Sequence, residues 1–266
     1  MIEKTSPQVR LCAQPFSLVH TPKATHAVVA LHGFTGYAGE LSLPAQRLFE
    51  AGLDVYVPRY PGHGTNSEDF LASNASQWLG EAERQYQEIA SQYIEVSLLG
   101  HSMGGAIAVI LAKRHQVKRM VLYAPALIIP ALPAKSLAIL RFFIKRKQKE
   151  WKRDPSYQFF DKRDSDDDEF LGKEYWSWTY PGQVYELEKL RRQAVDSLSD
   201  VIADTLVFTG GEDLTIPQSA GVLVLHEGKG KNNWVHLPKG THLIPYDRDD
   251  ATREEAMDRT VSWLCS

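Results

Sequence analysis

Three side chains in this sequence have the types and the order needed for acyl transfer. Ser102 stands in Gly100-His101-Ser102-Met103-Gly104, with glycine two positions to either side. This is the G-x-S-x-G pattern, in which a strand turns sharply into a helix and exposes the serine hydroxyl at the top of a sheet. Side chains at the flanking positions would collide with the strand and the helix, which accounts for glycine at both. A hydroxyl is a poor nucleophile until a base takes its proton and an acid orients that base. Along the chain the order expected is serine, acid, histidine. "TLVFTGGEDLTIP" ends a predicted strand and offers Glu212 and Asp213, with Asp213 preferred. "WVHLPKGTHLIPYD" ends the last predicted strand and offers His242 as the base. His236 falls inside that strand and His226 before it, so both read as structural or surface histidines.

Attack on a carbonyl carbon creates an oxyanion, which needs preorganised hydrogen-bond donors. Met103 supplies one backbone N–H, at the positive end of the helix that follows Ser102. The second should come from the loop after an early strand. "LHGFTG" provides that loop: Gly33 and Gly36 allow a close approach, and the Phe34 N–H is the candidate donor. The serine pattern alone is weak, since it arises by chance in roughly one chain in ten of this length. Its position between a predicted strand and a helix with Met103, Ile107, Ile110 and Leu111 on a buried face strengthens it.

The elements required to hold these residues are legible as an alternation. "HAVVALHG", "LDVYVPRY", "EVSLLG", "VKRMVLYAP", "DTLVFTGG" and "NNWVHLP" read as short, apolar, β-branched strands. Between and after them lie helical patterns. One places Trp78, Ala82, Tyr86, Ile89 and Tyr93 on a face, and the final one Ala256, Thr260, Val261 and Leu264. Continuous apolar strands alternating with helices predict an α/β fold with a buried, mostly parallel sheet flanked by helices.

The 266 residues allow one large domain or one with an insertion. With 43% apolar and 24% charged residues and a net charge of −3, the composition is that of a globular protein with no polyanion partner. Only Cys12 and Cys265 are cysteine, without metal-ligand spacing, so no disulfide framework is expected and a reducing compartment is the default. The start, "MIEKTSPQVRLCAQPF", has no apolar core of a secretory signal, and a cytoplasmic location is the expectation.

One segment breaks the alternation. From Ala126 some seventy residues pass before the strand at Asp204, too many for a bare loop. We expect a small, mostly helical cap over 126–199, inserted into an α/β core formed by 1–125 and 200–266. Its apolar part is short and carries Lys135 and Arg141, which excludes a membrane span. The stretch from Leu137 to Arg153 has the pattern of a cap helix over an apolar pocket, and also that of a helix making weak contact with a membrane surface. The basic run and the acidic "DKRDSDDDEF" read as solvated faces or mutual partners. "YWSWTYPG" packs aromatics densely; if extended, it puts Trp176, Trp178 and Tyr180 on one side. Trp176 and Trp178 are therefore the candidate pocket residues, at least one of them facing the acyl chain.

Taken together, "LHGFTG", "PRYPGHGTNSEDF", "GHSMGGAIA", "GGEDLTIP" and "THLIPYDRDD" resemble the α/β-hydrolase superfamily. The group most similar is the bacterial carboxylesterases with a small cap, which themselves resemble monoacylglycerol lipases. The resemblance implies Ser102, Asp213 and His242 as the triad and the amides of Phe34 and Met103 as the oxyanion hole. It makes His63, in "GHG", structural. Thr241 stands where the family often has glycine, and the cap has no counterpart that fixes the substrate. The activity implied is hydrolysis of carboxylic esters of short to medium acyl chain through an acyl-enzyme on Ser102. No metal or organic cofactor is implied, and the partner is a small or lipid-like ester, not nucleic acid. Monoacylglycerol lipase, thioesterase, amidase and acyltransferase activities use the same triad. A non-catalytic ligand-binding protein on this scaffold is expected to have lost a triad member, and a dehalogenase to carry aspartate at position 102.

Overall fold

The computed structural model describes residues 8–130, 134–157 and 167–266. In chain order its elements are β1 (Phe16–Leu18), β2 (His26–Leu31), α1 (Ser42–Glu50), β3 (Asp54–Val57), α2 (Ser67–Leu71), α3 (Ala75–Ala90), β4 (Glu95–His101), α4 (Met103–His115) and β5 (Arg119–Tyr123). Then come α5 (Ala134–Leu140), β6 (Lys147–Gln148), α6 (Asp167–Leu171), β7 (Trp178–Thr179), α7 (Pro181–Leu198), β8 (Asp204–Gly210), α8 (Ser219–Glu227), β9 (Asn232–Leu237) and α9 (Asp250–Cys265).

Seven strands form one sheet in the order β1-β3-β2-β4-β5-β8-β9, parallel throughout except for β1, which runs antiparallel to β3 at one edge. Every residue after the first in β2, β4, β5 and β8 is buried. Such strands have no polar face because helices cover both sides of the sheet. This is the α/β-hydrolase architecture, and each of the six strands expected from the sequence is present. Strand order brings the C-terminal ends of β2 and β4 together, and those of β8 and β9 together. Loops that leave these ends share one rim, the usual place for a site in a parallel sheet.

The helices obey the same logic. α3 opens with a capping box at Asn74 and Gln77 and buries Trp78, Ala82, Tyr86 and Ile89. It ends at Ala90, so Tyr93 is not on its face as the spacing predicted. Its hydroxyl instead donates to Asp54 at 2.8 Å. α9 buries Ala256, Thr260 and Leu264, and the Thr260 hydroxyl lies 2.6 Å from that of Tyr123 on β5. α4 is buried from Met103 through Ala112, beyond the single apolar face expected, because β-strands lie on one side of it and α7 on the other.

The insertion between β5 and β8 contains helices, a π-helical turn at Gly172–Trp176, and a two-stranded antiparallel ribbon of β6 and β7. "YWSWTYPG" is therefore extended only at Trp178 and Thr179. Tyr175 and Trp176 close the π-helical turn, Trp178 and Thr179 form β7, and Pro181 starts α7. Of the acidic run, 161–166 lie outside the described residues, as do the side chains of Lys135, Asp167 and Asp168.

Candidate active site

Ser102 sits between β4 and α4 with φ 53° and ψ −114°, a conformation that a non-glycine residue adopts only when its surroundings enforce it. Two bonds do so: the Ser102 N–H donates to Tyr123 O at 2.9 Å, and Ser102 O accepts from the Ala126 N–H at 2.9 Å. The flanking glycines are required by packing. A Cβ on Gly100 would stand 2.5 Å from Gly104 O, and one on Gly104 would stand 2.0 Å from Leu31 O. The turn can therefore form only if helix α4 touches β4 and β2 through bare backbone.

The Ser102 hydroxyl lies 3.1 Å from His242 Nε2, and His242 Nδ1 lies 2.9 Å from Asp213 Oδ2. Since the Asp213 carboxylate can only accept, the ring proton belongs on Nδ1, which leaves Nε2 to accept from Ser102 Oγ–H. The Asp213 side chain is fully covered, whereas that of His242 retains 22% exposure. Burial pushes the Asp213 carboxyl up. The hydrogen bond and charge of His242, with the Ile216 and Thr215 N–H groups donating at 2.9 and 2.7 Å, outweigh it and hold the group below its ordinary value. Glu212, the other acid offered by the sequence, turns to the surface and pairs with Arg248 at 2.8 Å. His226 is exposed on α8, and His236 lies within β9.

Thr241, the departure from the family's frequent glycine, has its own function. Its N–H and hydroxyl both donate to the buried Asp247 carboxylate, at 2.6 and 2.8 Å, and fix the entry to His242. Opposite, Gly36 N–H closes a turn onto Gly33 O at 3.1 Å. That turn brings Gly33 against the elbow, where a Cβ would stand 3.5 Å from Ser102 Cβ, and Phe34 follows it. Neither the Phe34 nor the Met103 N–H has a hydrogen-bond partner among the described residues. The Phe34 ring packs edge-on against Phe70 and Trp78 and anchors the loop. His63 is buried within the same aromatic group, its Nδ1–H donating to Pro61 O at 3.2 Å.

Ser102 and His242 open onto a cavity of about 630 Å³. Ile129, Trp151, Trp176, Val184, Leu187 and Ile216 give it an apolar wall. Trp176 is thus brought to the cavity, and its indole N–H also donates to Thr35 O at 3.2 Å. Trp178 is not among the lining residues; the Arg146 guanidinium covers its ring at 4.4 Å. Sequence reasoning missed Trp151, which stands inside the basic run and whose ring lies 5.6 Å from that of Trp176. It also missed His101 and Glu40, buried polar residues beside the triad.

A family model described as "Serine aminopeptidase, S33" matches residues 22–249, most of the chain. The chain belongs to this family of α/β-hydrolases. It is 25% identical over 239 residues to the "Thermostable monoacylglycerol lipase" of Bacillus sp. (strain H-257), covering 89% of each sequence. To the "Carboxylesterase" of Bacillus subtilis (strain 168) it is 29% identical over 96 residues, 36% of this chain and 39% of that one. Among solved structures, one described under "LipS and LipT, two metagenome-derived lipolytic enzymes" superposes with a TM-score of 0.83 at 21% identity, over 97% of this chain and 99% of that one. At that identity the last likeness establishes the fold.

Proposed function

We propose that this chain is a serine carboxylesterase, acting on esters of short to medium acyl chain through an acyl-enzyme on Ser102. The observation that carries the reading is the continuous line from Asp213 Oδ2 through His242 to Ser102 Oγ, at 2.9 and 3.1 Å, opening on an apolar cavity. In the reaction His242 takes the Ser102 proton as Oγ attacks the ester carbonyl. Asp213 keeps the imidazole in the needed tautomer and stabilises the imidazolium without accepting its proton. The Phe34 and Met103 N–H groups receive the oxyanion, a contribution of several kcal/mol in comparable hydrolases (about 3 for one donor). The protonated His242 then gives its proton to the leaving alcohol. Water repeats the sequence in reverse and frees the acid.

The monoacylglycerol lipase relative and the carboxylesterase relative support ester hydrolysis over the other acyl donors. They support a monoacylglycerol as substrate as well as a simpler ester. A fluorophosphonate probe tests the nucleophile: labelling at Ser102 alone, abolished in Ser102→Ala with the fold unchanged, is the expected result. Labelling that persists would sink the reading. A panel of nitrophenyl esters from acetate to palmitate, run beside monoacylglycerols, then ranks the substrates.

The cap has a second role in this reading. Ile139, Phe142 and Phe143 are 63%, 73% and 81% exposed, and Lys145, Lys147, Lys149 and Lys152 follow them closely. An apolar tip beside cationic side chains suits shallow contact with an anionic membrane surface. Of the insertion expected over 126–199, we assign 126–180 to the cap. Helix α7 goes with the core: it packs along α4 and provides the crossover into β8.

A further inference from the structure

His101 occupies the variable position before the elbow serine, and no step above uses it. Only 2% of it is exposed. Its ring centroid lies 5.1 Å from that of His242, and its Nε2–H donates to the backbone carbonyl of His242 at 2.9 Å. A carbonyl only accepts, so that nitrogen carries the proton. On the other edge of the ring, Nδ1 has no hydrogen-bond partner among the described residues. It faces Glu40 Oε2 at 3.9 Å, a buried carboxylate oxygen that likewise has none.

The strand order explains why such a link matters. Ser102 follows β4 and His242 follows β9, with β5 and β8 between them. No strand pairing fixes the nucleophile against the base. Asp213 orients the imidazole ring, and Asp247 fixes Thr241, but both lie on the β8–β9 side of the sheet or beyond it. His101 is the chain neighbour of Ser102 and moves with it. Its bond to the main chain of His242 ties base to nucleophile directly.

We propose that His101 is a positioning residue, which holds the loop carrying His242 against the elbow. This rests on the reading of Ser102 and His242 as nucleophile and base. Misplacement of a base by about 1 Å costs on the order of a hundredfold in rate. A lost tether that leaves the ring still bonded to Asp213 should cost less.

The test compares two substitutions. His101→Leu fills the space without a donor, and His101→Gln keeps an N–H at the reach of Nε2. The Leu variant should lower kcat by about tenfold or more with KM within about twofold. It should slow fluorophosphonate labelling of Ser102 by the same factor. The Gln variant should recover to within about threefold of wild type. By proton NMR, the far-downfield signal of the Asp213–His242 hydrogen bond should broaden in the Leu variant and return in the Gln variant, at unchanged Tm. A Leu variant with wild-type kcat and labelling overturns the proposal. So does a Gln variant as impaired as the Leu variant, since the ring would then be acting by shape alone. Should the Leu variant fail to fold, His101→Asn, whose amide is too short to reach, replaces it. Labelling that survives Ser102→Ala fails the parent reading instead, and the two outcomes are separable.

Discussion

At the scale of single residues, Asp213 and Glu212 are neighbours whose surroundings send them to opposite tasks. Asp213 is covered and bonded to His242, whereas Glu212 reaches solvent and Arg248. Asp213→Asn should lower kcat by about 10⁴, as an amide in this place favours the wrong tautomer of the base. Glu212→Gln should change kcat by less than about threefold, because an exposed ion pair contributes little. Steady-state kinetics on a nitrophenyl ester ranks the two, and the reverse ranking would move the acid by one position. Two buried histidines add to the acid sensitivity expected of the fold. Burial pushes the His63 imidazole down to about 3, and burial followed by the proximity of His63 pushes His32 well below its usual value. In the unfolded chain each binds a proton near pH 6.5. Between that value and the depressed one the unfolded state holds more protons, so stability is retained above about pH 6.5 and falls as pH drops. Each site contributes a slope of roughly 1.4 kcal/mol per pH unit. Urea unfolding between about pH 6 and pH 4 should show the steep decline, and His63→Phe should reduce the slope by about one proton's share. An unchanged slope in that variant would assign the sensitivity to other groups.

The element scale separates what was legible from what was not. Ser102, Asp213 and His242 stood out in the sequence because each lies in a short loop at a strand end, where turn residues and spacing are local signals. His101, Glu40 and Trp151 did not. Their partners lie far along the chain, and the Trp151 neighbourhood is basic, which reads as a solvated surface. Trp176 was legible as one of a pair, but only packing distinguishes it from Trp178. The indole of Trp176 lines the cavity and donates to the carbonyl of Thr35, the residue after Phe34. Trp176→Ala should therefore lower kcat/KM for acetate by about threefold or more through the loosened loop. It should lower octanoate by about tenfold further through lost apolar contact, at about 0.8 kcal/mol per methylene. Equal losses for both esters would remove Trp176 from the acyl wall. Farther out on the cap, Phe142→Ser combined with Phe143→Ser should weaken sedimentation with anionic vesicles while leaving hydrolysis of a soluble ester unchanged. Binding that is unaffected would show that the apolar tip does not meet the bilayer.

Across the whole molecule, the parallel core was readable because buried strands are continuous apolar runs. The edge strand β1 and the helices α1 and α8 escaped notice. β1 has only three residues, one of them exposed, and α1 and α8 are short helices with mixed apolar patterns. The limits of the insertion were set by counting residues between strands, which cannot show that α7 packs against α4. Hydrogen exchange should show it. Amides of α7 should be protected as long as those of α4, and amides of α5, β6 and β7 should exchange sooner, since their exposed surroundings allow local opening. Exchange of α7 together with α5 would place it with the cap instead.

The bond from Trp176 to Thr35 has a consequence for how such a chain can be altered. One residue of the cap holds the carbonyl of Thr35, the residue after a proposed oxyanion donor, so the part that selects the substrate also touches the loop that serves the chemistry. Cap exchange between relatives would then not be a modular operation. A transplanted cap that lacks an indole at this place would bring its own selectivity and lose turnover with it, and drift in the cap would be constrained by catalysis as much as by the fit of the acyl chain.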